Sequence, residues 1–242
     1  MKPWWAQSRA EIKMTLARGE SLLLTVGIPL VLLIAVNATT FIRVDAPRRI
    51  DFLVPGIIAL SALSTAMVSL SISTGFDRYY GVLRRLFTTP LGSRALVVSK
   101  VVSVLVVEII QILVLGSVGI ALGWRPHGGA GALAEAAVLI VIASVGFAGV
   151  GLLLAGSLRA EINLAASNGL YLVLLLVSGF VVPASSMPHA LSTAVSYLPS
   201  GALAEGLRAV VGSHSWPWHA AVVCVAWALM APLLAARAFR YE

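Results

Sequence analysis

Six long apolar runs constrain this chain more than any other feature of its sequence. A helix needs roughly 20 apolar residues to cross a bilayer, and inside lipid the backbone must satisfy its own hydrogen bonds. Helices meet that requirement, whereas loops and open strands do not. The sequence therefore predicts an all-α integral membrane protein with six transmembrane helices. The runs cover residues 21–42, 52–75, 101–123, 136–158, 162 to about 183, and 216–236.

The composition agrees with a membrane protein. Hydrophobic residues make up 59% of the chain and charged residues only 11%, whereas about a quarter of a soluble domain is charged. The net charge of +7 raises the question of a nucleic-acid partner, but the lysines and arginines lie between the apolar runs rather than on one solvated face. We therefore predict no nucleic-acid partner.

The positive charges also predict an orientation. Six spans place both termini on one side, and cytoplasmic connections carry the excess of lysine and arginine. If that side is the cytoplasm, twelve of the 17 cations are cytoplasmic and five are outside. We expect a multi-pass protein of the cell membrane with both termini in the cytoplasm. The five outer cations are Arg43, Arg48, Arg49, Arg125 and Arg208.

Residues 1–20 read as a short helix ahead of the spans. Trp5, Ile12 and Leu16 lie close together on one side with cations beside them, a pattern typical of a helix in the membrane interface that contacts lipid. A solvated lead-in helix is the alternative. Residues 21–242 show no repeat and no long linker, so we predict one six-span transmembrane domain.

The connection between the second and third runs combines cations with an apolar stripe. Read as a helix over 78–87, it is too short to span, so we place it on the cytoplasmic surface. Its arginines could serve topology alone. Topology, however, requires neither a stripe nor a terminating proline, which favours a docking role. The stripe is Tyr79, Val82, Leu83 and Leu86, and Pro90 follows it.

This region resembles the membrane subunits of type-2 ABC exporters. VPG at 54–56 opens the second span, and DRYYGVLRRLFTTPLGSRALVVSK follows it at 77–100. Tyr79 or Tyr80 stands where the family usually has an acid, and Val82 replaces its usual threonine. The matching positions are Arg78, Gly81, Leu83, Arg85, Leu86, Thr89, Pro90, Leu91, Arg94 and Lys100.

A second match lies near the other end of the chain. SGFVVPASSMPHAL at 178–191 and LPSGALAEGLRAV at 198–210 are similar to the family's fifth-span exit and the short outer-face helices that follow it. The resemblance implies that the cytoplasmic segment is a coupling helix docked on an ATP-binding subunit. It implies ATPase coupling for Arg78, Tyr79, Tyr80, Gly81, Val82, Leu83, Arg84, Arg85, Leu86, Thr89 and Pro90.

The chain contains no G-x-x-x-x-G-K-[ST] phosphate loop, so the resemblance requires a separate ATPase chain that carries ATP and Mg²⁺. A second membrane subunit, either a copy or a paralogue, is also implied. We predict no catalytic, cofactor or metal site here, because the spans hold only Glu108 and His219 as candidate catalytic groups. A passive channel or an assembly subunit without ATP coupling is the alternative.

Glu108 and Gln111 are the polar pair that a span accommodates least easily. An ionisable side chain inside a membrane is costly, which suggests a functional role on the substrate path. The alternative is a hydrogen bond that joins neighbouring helices. Both interpretations stay open.

The end of the fifth run contains Ser178, Gly179, Phe180 and Pro183, which we single out as outer-gate candidates. Glycine and proline permit a bend there, and a structural lid is the alternative. Aromatic residues make up only 7% of the chain, fewer than a sugar-polymer path would use for stacking. We therefore expect an amphiphilic cargo, a drug or a lipid rather than a polysaccharide.

Overall fold

A computed structural model describes residues 9, 19–39, 48–82, 92–181, 183, 186–213 and 215–238. These residues form helices and no strand, as the all-α prediction requires. The predicted interfacial helix over 1–20 lies almost wholly outside them. The helices are α1 Gly19–Ala38, α2 Arg49–Leu63, α3 Leu70–Tyr79, α4 Gly92–Ala121, α5 Gly129–Ser157, α6 Ala160–Val177, α7 His189–Ser196, α8 Pro199–Arg208 and α9 Trp218–Ala238.

Among these residues, five helical segments are long and apolar enough to cross a membrane. They correspond to the predicted second to sixth spans. The predicted first span, 21–42, coincides with α1 as far as Ala38; the part of α1 whose side chains the structure describes, Thr25–Ala38, is an apolar helix, and residues 40–42 lie outside the described chain. The five segments are Arg49–Tyr79, Val98–Ala121, Gly129–Ser157, Ala160–Val177 and Trp218–Ala238.

The first of these segments is the central helix of the bundle. It consists of α2, a π-helical turn over Ser64–Ser69, and α3, joined without a break in helical backbone geometry. Leu53, Leu60 and Met67 on it are at most 1% exposed, and helices α1, α4, α5, α6 and α8 pack around it. The sequence gives no signal for the π turn, because one extra residue in a helical turn hardly changes an apolar pattern.

Helices α5 and α9 form the most extensive helix pair. A Cβ atom on Gly149 would lie 2.5 Å from the backbone nitrogen of Pro232, so only glycine permits this approach. Gly146 packs in the same way on Ala228, one turn earlier on both helices, which shows that the two run parallel. Small residues at such crossings let membrane helices pack backbone to backbone.

The bundle has two ends, which we name by their connections. At the proximal end α3 leads into segment 80–91, α4 begins, α5 ends and α6 begins. At the distal end α2 begins, α4 and α6 end, and the short helices α7 and α8 lie between α6 and α9. Hydrogen bonds tie the elements of the distal end together, such as Arg48 Nη1 to the Gly123 carbonyl, 3.2 Å.

Candidate functional site

The predicted coupling segment begins at the proximal end and is described as far as Val82. One part of the prediction is wrong: the helix does not continue from Arg78 through Gly81. Helix α3 ends at Tyr79, and Gly81 has a φ of 71°, a left-handed conformation that favours glycine and ends helices. Tyr79 and Tyr80 are exposed there. The other predicted coupling residues, Leu83, Arg84, Arg85, Leu86, Thr89 and Pro90, lie outside the described residues.

Arg78 does not extend freely from the end of α3. Its guanidinium donates from Nη1 to the Gly156 carbonyl, 2.5 Å, and from Nη2 to the Leu158 carbonyl, 2.6 Å. These carbonyls terminate α5, where helix backbone oxygens lack partners and a cation is favourable. The arginine therefore fastens α3 to the turn between α5 and α6.

The residue before it fastens α3 to a third helix. The carboxylate of Asp77 accepts a hydrogen bond from Lys100 Nζ at 2.6 Å, and the lysine side chain is only 5% exposed. Lys100 belongs to α4, close to where the chain returns from segment 80–91. Sequence reasoning noted Lys100 as a motif position but missed Asp77. The sequence feature that could have indicated this ion pair is an acid one residue before the motif arginine, together with a lysine at the start of the next apolar run.

A pocket of about 410 Å³ opens beside these contacts. Arg78 and Arg159 supply positive charge, and Glu161 supplies one negative charge in the first turn of α6. An open pocket with both signs of charge suits the side chains of a docking protein. It is lined by Gly75, Arg78, Tyr79, Gly81, Arg159, Ala160 and Glu161.

A buried polar cluster joins α3 to α6 just inside the bundle. Ser71 Oγ donates to Asn163 Oδ1, 2.8 Å, and Asn163 Nδ2 donates to the Ser71 carbonyl, 2.9 Å. Ser167 Oγ adds a bond of 2.9 Å to Ser71 Oγ. Gly75 leaves room for the amide, since a Cβ there would lie 2.6 Å from Asn163 Nδ2. Sequence reasoning missed this cluster, although an asparagine inside a span was its signal.

The two predicted substrate-path residues are buried between helices. Glu108 is 2% exposed, and both of its carboxyl oxygens lie 2.8 Å from Ser144 Oγ on α5. Gln111 is fully buried; its oxygen accepts from Thr65 in the π turn and its nitrogen donates to the Thr25 carbonyl of α1, each at 3.0 Å. These contacts join α4 to α5, to the central helix and to α1.

The predicted outer-gate residues lie at the distal end, where α6 ends. Ser178 and Phe180 are fully buried, and Gly179 has a φ of 72°, which turns the chain sharply after α6. Ser178 Oγ donates to Ser200 Oγ of α8, 2.7 Å. We call residues 178–181 the distal turn. Pro183 is also buried, beyond this turn.

Arg208, the last residue of α8, is the main contact of the distal turn, and sequence reasoning missed it. Its Nη2 donates to the carbonyls of Gly179, 2.7 Å, and Phe180, 2.9 Å. Its Nε donates to the Phe52 carbonyl, 3.2 Å, and its guanidinium carbon lies 3.6 Å from the centre of the Phe52 ring. Burial lowers the pKa of Arg208 to about 10, and the charge of Glu205 opposes that shift. The guanidinium is therefore still cationic at neutral pH.

The described residues contain no group of three or more histidine, cysteine, aspartate or glutamate side chains placed to hold a metal ion. The candidate site consists instead of the hydrogen-bonded helix ends around Arg78 and Asp77 and of the distal turn held by Arg208.

Comparison with known proteins gives two findings. The sequence model of the ABC-2 type transporter family matches residues 4–211. Two curated relatives carry the name transport permease ycf38: one from Porphyra purpurea, 28% identical over 181 residues, and one from Pyropia yezoensis, 28% identical over 178 residues. Each alignment covers 73% of this chain but only 60% of the relative's length.

Proposed function

The chain belongs to the ABC-2 type transporter family, and from that premise we propose that it is the membrane-spanning permease subunit of an ATP-driven exporter. The ATPase would be a separate chain that binds ATP and Mg²⁺, because this sequence contains no phosphate loop. The complex would hold two ATPase subunits and a second membrane subunit, either another copy of this chain or a paralogue.

One observation carries the ATP-driven part of the proposal: the end of α3, from which segment 80–91 leads, is bonded to α4 and to the end of α5. Arg78 bonds the carbonyls that end α5, and Asp77 pairs with Lys100 of α4. A push on the segment would therefore move α3, α4 and the α5–α6 turn together.

The docking surface would lie on segment 80–91 itself and on the pocket beside Arg78. Tyr79 and Tyr80 are 64% and 68% exposed, and large exposed aromatic side chains are frequent anchors in protein interfaces. Arg84, Arg85 and Leu86 would complete the surface. The proximal end would then face the cytoplasm, where ATP is available, with the chain in the cell membrane.

The cargo would be an amphiphile, such as a drug or a lipid. Aromatic residues make up 7% of the chain, which supplies few stacking surfaces for sugars. Glu108 and Gln111 stay candidates for the path, and their hydrogen-bond partners lie on α5, in the π turn and on α1. Cargo would reach them only if α4 separates from α1 and α5 during transport.

The test is purification of the tagged chain from its native membrane in a gentle detergent, with co-purifying proteins identified by mass spectrometry. We expect an ATP-binding subunit in near-equal amount. Changing Arg85 and Leu86 to Asp should reduce its recovery at least tenfold, because a charge reversal and a buried charge would both weaken docking.

Arg125→Asp is the matched control, since it makes the same charge reversal on an exposed residue between α4 and α5 at the distal end. It should leave recovery of the ATPase unchanged. Recovery of the chain without any ATPase, under conditions that hold other membrane complexes together, would favour a passive channel or an assembly subunit instead.

A further inference from the structure

The distal turn is held by side chains of α8 rather than by a regular backbone ladder. Arg208 donates hydrogen bonds to two carbonyls of the turn, those of Gly179 and Phe180. The hydroxyl of Ser178 donates a hydrogen bond to the hydroxyl of Ser200, at the opposite end of α8 from Arg208. Ser200 and Arg208 lie about 12 Å apart along α8, so one short helix holds the turn at two points.

Helix α8 is itself deeply seated. Eight of its ten residues are buried, and it packs against α2, α5 and α9. Gly206 shows how close the packing is, since a Cβ there would lie 2.5 Å from Leu139 of α5. The helix therefore connects the distal turn to the spans on either side of it.

Gly56 of the VPG stretch supplies the space for this arrangement. A Cβ at that position would lie 2.1 Å from the Phe180 carbonyl oxygen and 2.6 Å from Arg208 Nη2. No side chain can occupy this space while the arginine holds the turn. The glycine of the VPG stretch, which lies inside α2, thus has a physical explanation: it leaves room for the guanidinium.

Polar contacts of this kind suit a closure that opens and closes again. A packed apolar contact can slide, whereas directed hydrogen bonds among buried groups have one good arrangement and are costly when half made. If water enters as the distal end opens, it can satisfy the exposed carbonyls, hydroxyls and guanidinium until they pair again.

We propose that α8 is the latch of the distal gate, with Arg208 as its positioning residue and the Ser178–Ser200 contact as its second fastening. The inference rests on the proposed export function and deepens it. In the resting state the latch keeps the distal turn closed over the bundle. During transport Arg208 releases the carbonyls of Gly179 and Phe180, and the turn moves away from α2.

The experiment uses a reversible cross-link at the second fastening. In a Cys224→Ala background, Ser178 and Ser200 are both changed to cysteine, and the complex with its ATPase is purified and reconstituted in liposomes. A mild oxidant removes two electrons and two protons from the thiols to form a disulfide, and dithiothreitol reverses it. ATP hydrolysis is measured before oxidation, after oxidation and after reduction.

A gate that must open in each cycle predicts at least a tenfold loss of ATP hydrolysis on oxidation and recovery on reduction. The single variants Ser178→Cys and Ser200→Cys, treated identically, should lose none. Because one and the same folded sample is inhibited and restored, a merely structural role for the contact cannot produce this result.

Other outcomes are decisive too. A complete cross-link with unchanged ATP hydrolysis would overturn the latch while leaving the exporter proposal standing. Failure of the two cysteines to cross-link in an active complex would overturn it as well, because their positions would not stay in contact. If no ATPase accompanies the reduced variant or the unmodified chain, the exporter proposal fails and the latch with it.

A second variant tests Arg208 directly. Arg208→Met keeps the length of the side chain but removes every donor, so the turn would lose its hold while much of the packing remains. We expect the rate of ATP hydrolysis by the Arg208→Met complex to differ at least threefold from that of the unmodified complex. Arg208→Lys should recover only part of this difference, because one ammonium cannot reproduce the planar fork of the guanidinium. Full function of Arg208→Met would count against its role.

Discussion

At the scale of single residues, a few buried polar side chains decide which helices meet. Glu108 and Ser144 join α4 to α5, and Gln111 joins α4 to the π turn and to α1. Inside a membrane such side chains have no water to bond, so their partners must come from neighbouring helices. Their positions in the sequence indicate that each has a partner, but they do not indicate which helix supplies it.

Glu108 offers a direct test of this role. Glu108→Gln keeps an acceptor for the Ser144 hydroxyl and should change thermal stability in detergent little. Glu108→Ala should lower the free energy of unfolding by about 1–3 kcal/mol, because it removes packed atoms and leaves the buried Ser144 hydroxyl without its partner. Thermal unfolding followed by size-exclusion chromatography compares the two variants. Equal losses for both would contradict a simple hydrogen-bonding role and favour one that needs the carboxyl group itself.

At the scale of helices, close packing depends on glycines whose neighbours the sequence does not reveal. Gly149 lies against the backbone of α9 at Pro232, whereas Gly169 in α6 has no heavy atom within 4 Å of its Cβ position. Both glycines lie within apolar spans and look alike in the sequence. Only their neighbours distinguish them.

These two glycines form a matched pair for mutation. Gly149→Ala should lower the free energy of unfolding by about 1–3 kcal/mol, because the added methyl group pushes α5 away from α9. Gly169→Ala should be neutral or slightly stabilising in the isolated chain, since alanine is the better helix former. Thermal unfolding in the same detergent measures both. If the two variants unfold at the same temperature, the backbones of α5 and α9 do not approach as closely as described at Gly149.

At the scale of the whole molecule, the two ends of the bundle are fastened in different ways. The proximal end holds its helices through Arg78 and the Asp77–Lys100 pair. The distal end holds its turn through Arg208 and Ser200. The central helix runs from one set of contacts to the other.

On the proposed function, docking and transmission depend on different residues of the proximal end. Arg78→Gln should keep the ATPase bound, because the arginine points into its own chain, but it should lower export relative to ATP hydrolysis at least threefold. Arg125→Gln is the control, since it makes the same substitution on an exposed residue at the distal end and should leave all three readouts unchanged. Parallel assays of ATPase recovery, ATP hydrolysis and export of a fluorescent amphiphile check the prediction. Loss of the ATPase from Arg78→Gln would instead make this arginine part of the docking surface.

The sequence by itself determined the helical membrane architecture, the positions of five spans and the family resemblance. These follow from apolar runs and local motifs, because the bilayer requires long helices with satisfied backbones wherever such runs occur. It also located the distal turn, since glycine and proline interrupt a run in a recognisable way.

Only the tertiary structure decided which polar groups meet. In the sequence Arg208 is only one of five outer cations, yet its guanidinium bonds carbonyls of Phe52, Gly179 and Phe180. Gly81 looked like part of a helix, yet its positive φ ends α3. The physical reason is the same in both cases: these contacts depend on the distance and direction between residues far apart in the chain, or on backbone angles that residue type permits but does not require.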